Sequence, residues 1–173
     1  MKRFLVGLYL ALAALLTPLT VGATPTLSTS QMQELVSSVG CTATVTSSES
    51  SSFNAAYIPW GHRIITIGFE NLPARWQQLI LLHEAGHCLQ SQNGEFQTLL
   101  NRGPYEIEWD ADAFAIRKMG ELYGVDAADL NHEVWAYLYH EYGYEGDLDD
   151  SHGLSVERIT RGNLNRTTPR IES

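Results

Sequence analysis

Basic residues are scarce in this chain. Over 173 residues, 11 lysines and arginines stand against 20 aspartates and glutamates, for a formal net charge of −9. No run of basic residues offsets that imbalance, so nucleic acid and anionic lipid are poor partners for it. Cysteine is nearly absent as well, with Cys41 and Cys88 the only two. Long apolar runs are missing after residue 16, and the run that exists, Phe4 to Leu16, is short for a membrane span of roughly 20 residues. There is no internal repeat and no composition shift to mark a second domain. One globular domain of ordinary composition, 44% apolar and 18% charged, is what these absences leave.

The first 23 residues read differently from the rest. Met1-Lys2-Arg3 is positive, the apolar run follows, Pro18 interrupts it, and Val21-Gly22-Ala23 offers small residues for a signal peptidase. A Sec-type signal peptide cleaved after Ala23 is predicted, and with it a secreted or periplasmic protein without a stable membrane anchor. The competing reading is an uncleaved anchor. No cysteine near the cleavage point signals lipid attachment. Residues 24–173 then form the single domain, with 9 basic and 20 acidic residues and a formal charge of −11, long enough to bury a core without disulfide support. In an oxidising compartment Cys41 and Cys88 can pair. The alternatives are two buried thiols, or a Cys41 thiolate capping a metal.

Local signals place an amphipathic helix over Gln31 to Val39, with Ser30 to Gln33 resembling a capping box and Gly40 as the stop. Strands are predicted over Thr42 to Thr46, Phe53 to Ile58 and His62 to Ile67, with the serine patch Ser47 to Ser52 as a loop. Pro73 opens a long helix, Ala74 to Ser91, whose Leu79, Leu82, Ala85, Gly86 and Leu89 are expected against the sheet. Helices over Tyr105 to Tyr123 and Ala127 to Tyr142 follow, then an acidic turn-like segment, Gly143 to Ser151. A short helix over Ser155 to Arg161 comes last. The fold class is α+β, a small N-terminal sheet followed by a helical half.

The long helix carries His83-Glu84-Ala85-Gly86-His87. Residues four apart share a helix face, so both imidazoles can bind one ion. Glu84 lies about 100° round the helix from His83, within reach of a water at that ion without ligating it. The bland reading is a buried histidine pair on an ordinary helix. A catalytic zinc needs a third protein ligand and one open position. In the next helix Glu108 and Asp112, four apart, share a face, while Asp110 lies about 200° round from Glu108 and should point away. Glu106 and Asp110 remain competitors, and a solvated acidic face is the alternative for the whole cluster.

His83-Glu84-x-x-His87 is the signature of zinc peptidases. Asn93 and Gln90 stand where one branch has a third histidine and a glycine, which excludes that branch. With Glu108-x-Asp110-Ala111-Asp112 the chain resembles the gluzincins. Among them it is similar to the family of the CAAX prenyl endopeptidases and heat-shock membrane proteases, without their transmembrane helices. The resemblance implies a zincin-like fold and one Zn2+ held by His83, His87 and Glu108, with Asp112 supporting a liganding histidine. Glu84 would be the general base, and His152 and Arg158, at a matching spacing, would stabilise the oxyanion. A secreted zinc-dependent endopeptidase acting on proteins or peptides is the leading expectation, its substrate laid along an edge strand taken to be His62 to Ile67. The alternatives are a catalytically silent zincin-fold binding or inhibitory module, and a zinc amidase acting on cell-wall bonds. His62 and His132 are expected at the surface. Glu145, Asp147, Asp149 and Asp150 are candidates for a self-blocking segment.

Overall fold

The computed structural model describes residues 26–103 and 105–142. The predicted signal peptide, the acidic segment 143–151, the short helix 155–161, His152 and Arg158 all lie outside those residues. Within them the order is α1 (Thr29–Ser38), β1 (Thr44–Ser48), β2 (Asn54–Ile58), β3 (Arg63–Ile67), a single 3-10 turn, α2 (Ala74–Gln92), α3 (Phe96–Leu100), α4 (Glu106–Tyr123) and α5 (Ala128–Tyr142). Among the described residues the class is α+β, with one three-stranded sheet and five α-helices. No helix among the described residues is long and apolar enough to cross a membrane.

The sheet runs β1-β3-β2, with β1 parallel and β2 antiparallel to β3. Alternation decides its buried face. Val45, Ile64 and Tyr57 stand in register as one inward row, and Thr66 with Ala55 as the next. Helices α1 and α2 cover that face. The strand expected to be the edge, His62 to Ile67, is therefore the centre of the sheet, and β2 is the edge nearest α2. In β3, Ile64, Ile65 and Ile67 have the β-branched character that suits a strand paired on both sides. β1 begins two residues later than predicted and takes Ser47 and Ser48 from the supposed loop, because pairing with Thr66 and Ile67 satisfies their backbone. Gly68, at φ +65°, ends β3 where a Cβ would lie 2.2 Å from the Ser52 carbonyl oxygen, so only glycine fits.

The capping box of α1 uses Ser28 and Gln31, two residues earlier than predicted. The Gln31 N–H donates to Ser28 Oγ and the Ser28 N–H donates to Gln31 Oε1 at 2.9 Å. Pro73 is the N-cap of α2 rather than its first residue. The short α3 had no clear signal in the sequence.

Helix α2 is the centre of the molecule. Leu79, Leu81, Leu82, Ala85 and Cys88 are all fully buried, although they point in different directions round the helix. Its widest contact is with α4. Gly86 faces that helix and not the sheet, since a Cβ there would meet Ala111 Cα at 3.0 Å. Cys41 and Cys88 form a disulfide with Cα atoms 5.9 Å apart, tying the turn after α1 to α2. That removes the free-thiol and thiolate-cap alternatives. Closing a loop with a sequence separation of 47 stabilises the fold by about 4 kcal/mol in the chain-entropy account.

Candidate metal centre

The close approach of α2 and α4 at Gly86 and Ala111 decides what else meets there. Gly86 lies between the two motif histidines, and Glu108 precedes Ala111 by one helical turn. Removing a Cβ from the crossing therefore lets the Glu108 side chain reach both imidazoles. His83 and His87 Nε2 stand 3.0 Å apart. Glu108 Oε2 is 3.3 Å from His83 Nε2, and Oε1 is 3.3 Å from His87 Nε2. All three residues are buried.

Each ring is held from behind. His83 Nδ1 lies 3.0 Å from Asp112 Oδ1, and His87 Nδ1 lies 3.0 Å from Gln90 Oε1. Both partners present acceptor oxygens, a placement that suits a hydrogen on each Nδ1 and a lone pair on each Nε2. Asp112 in turn accepts from Trp135 Nε1 at 3.0 Å, and the same N–H lies 3.0 Å from Asn131 Oδ1. The Trp135 ring stands edge-on to His83 with centroids 5.2 Å apart. Helix α5 thus supports the site through a residue that does not itself reach the ligand atoms.

With that arrangement of hydrogens, two imidazole lone pairs and a carboxylate gathered in a buried spot repel one another unless a cation lies among them. Their spacing has the size one ion requires. Ligands about 2.0–2.1 Å from a tetrahedral zinc stand about 3.3–3.4 Å from one another. His83, His87 and Glu108 fit a metal ion. Two nitrogens and one oxygen are the donor set of a borderline divalent cation.

Compared with protein-family models, with curated proteins and with solved structures, the chain finds no match. The functional reading therefore rests on this geometry.

Glu84 is buried beside the cluster but outside its ligand set. Its Oε2 accepts the Tyr57 backbone N–H at 2.7 Å. In an antiparallel ladder each residue turns both its peptide groups toward its partner or both away. The Tyr57 N–H turns away from β3, so Tyr57 and Ala55 face the outer edge of β2. Glu84, His87 and Glu108 share a cleft of about 280 Å³ with Ala56, Tyr57, Pro59 and Phe96. The Tyr57 hydroxyl is 2.9 Å from His62 Nδ1, and His62 Nε2 is 2.7 Å from Thr42 Oγ1. His62, expected at the surface, is half-buried and bonded at both nitrogens, at φ 51° in the turn that returns β2 to β3.

Of the residues singled out from the sequence, His83, Glu84, His87, Glu108 and Asp112 come together. Asp110 turns from the cluster and accepts from Gln90 Nε2 at 3.1 Å, as its angle on the helix requires. Glu106 is not in the ligand group. Gln90, Trp135 and the Tyr57 N–H were not foreseen. Gln90 one turn after His87 was a readable signal. A tryptophan among other aromatics and a backbone N–H were not.

Proposed function

We propose that this protein is a zinc-dependent endopeptidase with a zincin-like fold of the gluzincin kind. The observation that carries the reading is Glu84. Its carboxylate opens on the same cleft as the ligand group, stays outside that group, and is fixed by the edge strand. In a catalytically silent module the same carboxylate would do no more than tie α2 to β2.

His83, His87 and Glu108 would hold the ion. When bound, zinc would lower the pKa of a water towards 7 and polarise the scissile carbonyl. Glu84 Oε2 is occupied by the Tyr57 N–H, which leaves Oε1 to take the proton from the attacking water and later pass it to the leaving amine. Asp112 and Gln90 keep both imidazoles aimed at the cluster. The outward peptide groups of Ala55 and the outward Tyr57 carbonyl suit an extended substrate added to β2, a mode that binds main chain with little sequence preference. His152 or Arg158 would supply the donor to the oxyanion. The disulfide supports export to a secreted or periplasmic, oxidising location.

The test is zinc content and casein digestion measured side by side. Wild type should hold one zinc per chain and cleave casein. Glu84→Gln should keep the zinc and lose roughly 10²–10⁴-fold in turnover, the range for a general base. Normal turnover in that variant would refute the base assignment, and a wild type that takes up no zinc would refute the centre. Digestion of purified peptidoglycan without any of casein would move the substrate to cell-wall amides.

A further inference from the structure

The two histidines are backed by different chemistry. Behind His83 stands a carboxylate, Asp112, which the motif pattern anticipates. Behind His87 stands a neutral amide, Gln90, which it does not. Gln90 is 2% exposed and each end of its amide is engaged. Its Oε1 meets His87 Nδ1 at 3.0 Å, while Nε2 donates to the Ile107 carbonyl at 2.9 Å and to Asp110 Oδ2 at 3.1 Å. Those two acceptors decide which way round the amide sits. An amide turned over would set its NH₂ against the imidazole N–H and its oxygen against a carbonyl and a carboxylate.

We infer that Gln90 is a positioning residue for the metal centre: the α4 acceptors orient its amide, and the amide fixes His87 with Nδ1 protonated and Nε2 free to ligate. Through the same amide the ring of His87 is tied to the first turn of α4. That turn also carries Glu108, one residue after Ile107. A neutral acceptor does this without adding a fourth carboxylate to a buried site that already holds Glu84, Glu108 and Asp112. The inference rests on the proposed metal centre, but part of its test needs no metal.

The experiment compares wild type with Gln90→Leu and Gln90→Glu. Metal-free protein with labelled histidine is read by nitrogen-15 NMR for the tautomer of His87, and zinc affinity is measured by chelator competition. Wild-type His87 should show the Nδ1–H tautomer. Gln90→Leu removes the acceptor, so Nε2–H signal should appear and zinc affinity should fall about 10–100-fold. Gln90→Glu loses both Nε2 bonds but keeps an acceptor for His87. It should melt earlier yet keep the tautomer, and hold zinc within about threefold of wild type.

An unchanged tautomer in Gln90→Leu would overturn the inference. So would equal loss of zinc affinity in both variants, which is the outcome for a residue that only joins the helices. If Gln90→Leu does not fold, the wild-type tautomer and Gln90→Glu still decide. A wild type that binds no zinc defeats the metal reading instead.

Discussion

The two sides of α2 hold the site in different ways. On the sheet side, β2 fixes Glu84 through one main-chain N–H, that of Tyr57. On the helical side, α4 and α5 act through side chains: Glu108 on both imidazoles, Asp112 on His83, and Trp135 on Asp112. A main-chain contact survives most substitutions at its own position, provided the strand stays paired. A side-chain contact is lost with its residue. The placement of Glu84 should therefore be robust to the identity of residue 57, whereas the proposed metal binding should be sensitive to each of several residues on α4.

Substitution tests this contrast, from the largest effect down. Glu108→Ala removes the carboxylate from the proposed ligand group and leaves the two imidazoles facing each other. Stoichiometric zinc should be lost, and retention of one tightly held zinc per chain would show that the centre lies elsewhere. Replacing both cysteines, Cys41→Ser with Cys88→Ser, releases the loop that anchors the sheet side to α2. It should cost about 4 kcal/mol in denaturant unfolding if the entropic account holds. Zinc affinity in the folded population should change little, because the ligands and their supports lie on α2, α4 and α5.

Asp112→Ala takes the acceptor from behind His83 and removes one of the two acceptors at the Trp135 N–H. Zinc affinity by chelator competition should drop about 10–100-fold. A drop confined to stability would mean Asp112 is only packing. The smallest effect is expected from Tyr57→Phe. It deletes the hydroxyl bonded to His62 and keeps the backbone N–H on Glu84. Stability should fall by about 1 kcal/mol, with turnover nearly unchanged. A large loss of turnover would show that the Tyr57 side chain, and not its main chain, governs the proposed role of Glu84.

Much of the centre was legible because helices carry their own geometry. The four-residue spacings of His83 with His87 and of Glu108 with Asp112 put each pair on one face before any packing is known. The same arithmetic turned Asp110 away from the cluster. Strand order was not legible. His62 to Ile67 is the most strand-like stretch, yet it is the middle of the sheet and not the edge, as apolar β-branched residues on both faces favour. Gly86 was assigned to the sheet because periodicity says which residues share a face but not which neighbour that face meets.

By itself the sequence determined which residues can act. Two imidazoles and a carboxylate sit one turn or one residue apart on a single helix, and a second acidic pair sits at helical spacing on another. These are local relations set by the 3.6-residue repeat. Only the tertiary structure decided that Glu108 reaches both histidines across the Gly86–Ala111 crossing, that Cys41 meets Cys88, and that β2 supplies the N–H that holds Glu84. Gln90 behind His87 and Trp135 behind Asp112 belong to the same group. Each of these joins residues through packing between elements, and no periodicity within one element records which neighbour it will meet.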